Sequence, residues 1–316
     1  MEAVSPRASP PPVGAQPPLY KRVKRTVRSW LIQALVAAVQ LLPLRVALAL
    51  GRWGGGIAYH LFPRERRLSL AHLEIAFPER SAEEREAIAR RMFRNLGELG
   101  MEIAQLPRLE SRLASYVELD AAAAAVIDGA RRGNGVVAVT GHIGNWELLF
   151  RRIVHSGRSA YAVGVEMSHH ALTAMIEKAR GPGRTIWRGA PGSSKKLLRA
   201  FREDAYLAML IDQDTKVQGV FVPFFGRLAH TPRAAADLAI RTGAGVLTIF
   251  IHRKPEGGHR ISVQEIEWSP TEDGEEDARR LTAAMTASIE AEIRRHPDEW
   301  VWMHERWKTR PPSPGA

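Results

Sequence analysis

The stretch Val136-Val137-Ala138-Val139-Thr140-Gly141-His142-Ile143-Gly144-Asn145-Trp146-Glu147 decides the fold. Its first five residues are short, apolar and β-branched, which is a strand pattern. Asn145 is a good N-cap for a helix that begins at Trp146 and carries Glu147 in its first turn. The segment therefore predicts strand, glycine turn and helix, with His142 closing the strand. In open α/β folds, ligands bind at the carboxyl ends of sheet strands, which is where this histidine falls.

The same alternation continues downstream. Apolar runs over 161–165, 206–211 and 246–251 predict strands, 260–266 adds another, and helical patterns fall near 145–156, 168–180, 193–203 and 232–242. Such an order predicts an α/β domain with a largely parallel central sheet flanked by helices. Upstream, Ser81 and Glu84 form a capping-box pattern, and Ile88, Met92, Leu96, Leu99 and Ile103 recur at helical spacing. They predict a long amphipathic helix. A second, charged amphipathic helix is predicted over 276–295, and the chain shows no internal repeat.

Residues 1–19 are rich in Pro, Ser and Ala without periodicity and read as a disordered tail. Lys21, Arg22, Lys24, Arg25 and Arg28 then precede an apolar run over 30–44, and a second run over 46–62 leads to Arg64, Arg66 and Arg67. The first run is about 15 residues, short of the roughly 20 that span a bilayer. A signal peptide would need a small-residue cleavage pattern, and none is clear. Basic flanks on both sides place both ends in the cytoplasm, so 20–62 is expected to be a membrane-associating helical segment lying in the inner leaflet. The expected division is a tail over 1–19, this segment over 20–62, the α/β domain over 63–311 and a tail over 312–316.

Lys and Arg total 45 against 34 Asp and Glu, a formal charge of +11 that attracts polyanions. No helix-turn-helix, zinc-finger or RNA-recognition motif is present, so nucleic acid is not an expected partner. Much of the charge borders the apolar runs, which favours a membrane. The absence of cysteine removes disulfides, thiolate metal sites and Cys nucleophiles. There is no G-x-S-x-G elbow, no phosphate-loop motif and no HExxH, and neither a metal nor a cofactor is expected.

His142 and Glu147 stand five apart. The spacing alone is weak, since eleven histidines should give about one such match by accident. His60 and Glu65 are a second match, without a preceding strand. On a regular helix, five residues would splay two side chains by roughly 140°, so a turn through Gly144 is needed to bring them together. A histidine polarised by a carboxylate is a suitable base for taking a proton from an attacking hydroxyl. A structural histidine beside a helix-capping glutamate is the alternative from these residues alone.

Further segments decide between them. Ile211-Asp212-Gln213-Asp214, Phe221-Val222-Pro223-Phe224-Phe225-Gly226, Thr231, and the ending from His296 through Trp300, Trp302 and His304 to Arg306-Trp307-Lys308 occur in a consistent order. Together with the H-x4-E pair, they resemble the late acyltransferases of lipid A biosynthesis over about residues 64–311. The resemblance implies an O-acyltransferase with His142 as general base, oriented by Glu147. An acyl group would pass from an acyl carrier protein or coenzyme A thioester to a hydroxyl of a glycolipid, a lipid A precursor, at the cytoplasmic face of the bacterial inner membrane. Asn145, Arg180, Asp212, Gln213, Asp214, Phe224, Phe225 and Thr231 are the substrate-contact candidates, with loop capping the alternative for Asp212 and Asp214, and core burial the alternative for the phenylalanines of the Phe-rich loop over 221–225. The segment after Arg180 is short, which leaves Arg184, or a solvated surface role for Arg180, as alternatives. Glu305 stands where the family more often has a basic residue. A phosphatidylinositol mannoside acceptor, or a catalytically silent lipid-binding protein on the same fold, are the other readings.

Overall fold

The computed structural model describes residues 19–166, 170–181 and 184–312. The expected tails over 1–19 and 312–316 lie outside the described residues, apart from Leu19 and Pro312. In chain order, the first half comprises α1 (Leu19–Leu41), α2 (Leu44–Leu61), α3 (Pro63–Ala76), α4 (Ala82–Leu109), α5 (Leu113–Tyr116), β1 (Val117–Glu118), α6 (Ala121–Gly129), β2 (Val136–Thr140) and α7 (Trp146–His155). The second half comprises β3 (Ala160–Gly164), α8 (His170–Arg180), β4 (Thr185–Trp187), α9 (Ser193–Arg202), β5 (Tyr206–Leu210), β6 (Gly219–Phe224), β7 (Arg227–Pro232), α10 (Ala234–Thr242), β8 (Gly245–Arg253), β9 (His259–Glu265) and α11 (Gly274–Arg295).

Seven strands form one sheet in the order β1-β9-β8-β2-β5-β3-β4, in which the β8–β9 pair alone is antiparallel. This is the expected α/β architecture with a mostly parallel sheet. All five residues of β2 are buried because the strand is central and covered on both faces. Side chains alternate across a strand. Val137 and Val139 accordingly pack in a core shared with α4, α10 and α11, while Val136 and Ala138 pack with α6 and α7. The helix after β2 thus covers one face, and α10, which follows the β6–β7 hairpin, covers the other. The strand order reverses between β2 and β5, which makes a crevice at their carboxyl ends.

The Phe-rich segment from Phe221 to Gly226 lies in an antiparallel hairpin of β6 and β7, with Val222 opposite Ala229 and Phe225 at the turn. At a φ of 51°, Phe225 occupies the left-handed region, a conformation that the burial of its ring sustains. The predicted capping box is present at α4: Ser81 N donates to Glu84 Oε2 at 2.7 Å and Glu84 N to Ser81 Oγ at 3.2 Å.

No helix of the described residues is long and apolar enough to cross a membrane. The helix α2 packs along α4, and the contact is made by backbone. A Cβ on Gly55 would lie 2.1 Å from Phe93 O, and one on Gly97 would lie 2.0 Å from Gly51 O. The same helix leaves Val46, Leu50, Trp53, Ile57 and Leu61 exposed in a row at helical spacing.

Because the α2–α4 crossing has no room for a methyl, Gly55→Ala and Gly97→Ala should each destabilise the fold by about 1–3 kcal/mol, the range for overpacked sites. Gly54→Ala, where a Cβ meets nothing within 4 Å, should be neutral or mildly stabilising. Chemical denaturation of the three variants checks this, and equal midpoints would contradict the close crossing.

Candidate active site

At the carboxyl end of β2 the chain turns sharply through Gly144. Its φ is +56°, and a Cβ there would sit 2.0 Å from Ile251 O, so glycine is required on both counts. Asn145 then caps α7, its Oδ1 accepting from Leu148 N at 3.1 Å. The C-terminal segment clamps the turn from outside: Gly144 N donates to Glu299 O at 3.0 Å and Val301 N to His142 O at 3.2 Å.

The carboxylate that meets His142 comes from the neighbouring strand. Asp212 follows β5, and its Oδ1 lies 2.9 Å from His142 Nδ1. Its Oδ2 accepts from His142 N at 2.7 Å and from Trp300 Nε1 at 2.8 Å. Burial would raise the pKa of this fully enclosed carboxyl, but the adjacent His142 and the donated hydrogen bonds outweigh it and hold Asp212 ionised, well below the usual carboxylate range. An ionised acceptor at Nδ1 fixes the proton there, so a neutral His142 presents the Nε2 lone pair. Trp146 packs edge-on against the imidazole at 4.8 Å, and the His142 side chain keeps 21 % exposure.

Glu147 does not fill the orienting role expected of it: no hydrogen bond joins it to His142. It is buried and paired with Arg180, which donates from Nε at 2.8 Å and from Nη2 at 2.6 Å. This fork ties the first turn of α7 to the end of α8. Arg180 is therefore the basic residue of that region that enters the site's framework. Arg184 donates to Ala160 O at 3.3 Å instead.

Of the other candidates, Gln213 reaches the ring. Its Nε2 is 3.1 Å from both imidazole nitrogens of His142, so it sits over the ring face rather than in line with either lone pair. It also contacts His304 Nε2 at 2.7 Å. Asn145 serves the helix cap and donates from Nδ2 to Glu102 Oε2 at 2.9 Å. No hydrogen bond or ring contact joins the remaining four candidates to His142, and each has partners elsewhere in the fold. Asp214 accepts from Thr309 N and Oγ1 at 2.6 and 3.0 Å. Thr231 accepts from Arg306 Nη2 at 2.6 Å. Phe224 and Phe225 are buried in an aromatic cluster with Trp300, Trp302 and Trp307.

Two groups complete the site: His304, which the sequence reading places in the C-terminal motif without a role, and Glu102, which it misses. His304 stands 5.2 Å from His142, ring to ring, and burial, aided by that neighbour, pushes it down to about 4. Glu102, on α4, is fully buried and accepts from Asn145, Tyr116, Arg253 and His259. Burial alone would raise its pKa, but His259 and Arg253 hold it well below the carboxylate range. A Glu within the apolar stripe of a predicted helix was the available signal. The pair His60 and Glu65 forms no hydrogen bond with one another, and His60 is exposed beside Arg90.

Comparison with known proteins points to one family. The model of the family "Bacterial lipid A biosynthesis acyltransferase" matches residues 18–309. The lipid A biosynthesis palmitoleoyltransferase of Escherichia coli is 30% identical over 289 residues, covering 85% of this chain and 87% of the relative. The lipid A biosynthesis lauroyltransferase of the same organism is 27% identical, covering 90% and 92%. A phosphatidylinositol mannoside acyltransferase of Mycobacterium tuberculosis is 24% identical, covering 90% of each.

His304 binds its proton less readily folded than unfolded, 6.5 falling to about 4. Its neutral form thus contributes stability that is complete above pH 6.5 and is lost as pH falls toward 4. His304→Asn should flatten the loss of stability across that window relative to the parent chain, measured by urea denaturation at a series of pH values. An unchanged slope would contradict a buried, neutral His304.

Proposed function

The chain belongs to the bacterial lipid A biosynthesis acyltransferase family, and we propose that it moves a fatty acyl group from an acyl carrier protein or coenzyme A thioester to a hydroxyl of a lipid A precursor. The observation that carries the mechanism is the Asp212–His142 contact of 2.9 Å, which leaves Nε2 as the basic atom. As the acceptor oxygen attacks the thioester carbonyl, Nε2 takes the hydroxyl proton. The tetrahedral intermediate then expels the thiolate, and the imidazolium returns the proton to sulfur. Asp212 stabilises that imidazolium in transit. Glu147 acts as a positioning residue, because its pair with Arg180 fixes the first turn of the helix that carries Trp146 against the ring.

An apolar slot runs between the sheet and α7, from Thr140, Trp146 and Arg180 at one end toward Ile127 and Tyr206, lined by Ala138 and Ala208 among others. It begins beside the catalytic turn and holds about 40 Å³, so in this reading it widens to admit the alkyl chain of the donor. The acceptor side faces a membrane in this reading. Trp30, Leu31, Leu35, Trp53 and Leu61 are each 63 to 70% exposed on α1 and α2, an arrangement supporting helices that lie along the cytoplasmic face of the inner membrane. The higher identity to lipid A enzymes than to the mannoside acyltransferase supports the lipid A acceptor over a phosphatidylinositol mannoside. The intact His142–Asp212 pair argues against a silent binding protein.

Asp212→Asn should lower kcat by roughly 10²–10⁴-fold, as loss of an orienting carboxylate does elsewhere, with KM for the thioester little changed. His142→Ala should abolish transfer, and Ala208→Phe should shift donor preference toward shorter chains. Thioester turnover with acyl groups of graded length, alongside unfolding curves for each variant, checks all three. A folded His142→Ala variant with most of the parent activity would overturn the assignment.

A further inference from the structure

Beside α2 and α4 lies a second, larger cavity, of about 700 Å³. Such a volume suits a ligand rather than a packing defect. It opens on the same edge of the sheet as His142. Its wall includes Arg253, at the end of β8, and β8 runs parallel to β2 with Thr248 opposite Val139, so that Arg253 and His142 both lie past the carboxyl ends of these strands.

Five guanidinium groups line the cavity, from Arg45, Arg52, Arg90, Arg94 and Arg253. Among the described residues, Glu98 is the one carboxylate in that lining, and it is already engaged by Arg52 at 2.6 Å and Arg253 at 3.1 Å. Arg90 is held by Glu86 at 2.6 Å. Arg45 and Arg94 have no carboxylate partner among the described residues. Arg94 lies over Gly56 of α2, its Nε 3.7 Å from where a Cβ would stand there, and both residues line the cavity. This excess of cations, gathered where the glycine crossing draws α2 and α4 together, is repulsive unless an anion joins them. Guanidinium forks match phosphate oxygens in geometry and charge. Directly alongside, the exposed stripe of α2 presents Trp53, 69% exposed, and Leu50, 45% exposed. A cationic cavity against an apolar stripe fits an amphiphile whose phosphate lies at headgroup level while its chains stay in the membrane.

We propose that this cavity binds a phosphate group of the glycolipid acceptor, through Arg45 and Arg94 in particular. The inference rests on the glycolipid acceptor proposed above and adds where that acceptor is held. Arg253 links the cavity to the catalytic turn, since it also donates to Glu102, which accepts from the Asn145 cap of α7.

The test is flotation with phosphatidylcholine vesicles that carry a phosphorylated lipid A precursor, its dephosphorylated form, or phosphatidylglycerol at matched surface charge. The parent chain should bind the phosphorylated vesicles roughly tenfold more tightly than either of the others, the size of effect that one or two charge-assisted hydrogen bonds give. Arg45→Ala/Arg94→Ala should lose that preference, and Arg94→Lys should retain part of it. Both arginines are exposed, so unfolding curves of the variants should coincide with the parent's. Equal binding to phosphatidylglycerol would reduce the effect to surface electrostatics, and a preference kept by the double variant would place the phosphate elsewhere. Equally, abolition of binding by millimolar inorganic phosphate in all three vesicle types would indicate a free-phosphate site. Each of these three results overturns the proposal. Binding is read without turnover, so the two readings fail separately. If the parent chain acylates both acceptor forms with equal KM, the function stands and the phosphate site falls. Phosphate-dependent, arginine-dependent binding without transfer would instead uphold the phosphate site and overturn the acyltransferase reading.

Discussion

A buried carboxylate, that of Asp212, is the constraint on which the rest of the site depends. Removing an ionised carboxyl from water costs several kcal/mol unless donors replace the lost hydration. Three do so here: the backbone N–H of His142, the His142 ring and the indole of Trp300. They come from the end of β2 and from the C-terminal segment, while Asp212 itself follows β5. Satisfying one charge therefore requires two adjacent strand ends and the segment after α11 to meet. That stretch continues as a clasp, with Arg306 donating to His230 O and Thr231 Oγ1, and Thr309 donating to Asp214. Arg306 is fully enclosed, and burial pushes it down to about 10, which leaves it charged at neutral pH within the field of Asp212 and Asp214.

Two further carboxylates hold the His142 turn from other sides. Glu102 gathers Asn145, Tyr116, Arg253 and His259, joining the long helix α4 to the cap of α7 and to the edge of the sheet. Glu147 and Arg180 join α7 to α8. Buried ion pairs of this kind are weak sources of net stability but strong sources of geometry, because breaking one strands a charge in a dry interior. The His142 loop is accordingly framed by charges whose partners lie far away in sequence, and its glycine has no freedom to relax.

Much of this fold was legible because local pattern and tertiary demand agree. The strand over 136–140, the α4 capping box and the helix opening at Trp146 follow from nearest-neighbour chemistry, and each appears where the pattern puts it. The short edge strand β4 and the β6–β7 hairpin were not legible. The first has three residues, and the second carries Pro223 and a turn residue, Phe225, of the wrong type for positive φ. At the site, His142 was readable from its position after a buried strand. Its partner was not, because the H-x4-E spacing points to the nearest acid in sequence, whereas the nearest in space is at the end of the adjacent parallel strand. An acid directly after an apolar strand was the signal for Asp212, and strand adjacency was the missing knowledge. The rings near Phe224 resemble lipid contacts for want of the same knowledge, since a cluster of rings looks alike in sequence whether it meets a ligand or the core.

The central claim is that Asp212 fixes His142 as the Nδ1–H tautomer and leaves Nε2 basic. The most direct measurement is ¹⁵N NMR of the imidazole nitrogens in selectively labelled protein near neutral pH, with the His142 signals assigned by their loss in a His142 variant. The account predicts a protonated, pyrrole-type Nδ1 and an unprotonated, pyridine-type Nε2, with that distinction lost when Asp212 is replaced by Asn. A neutral ring carrying its proton on Nε2 in the parent chain would contradict it.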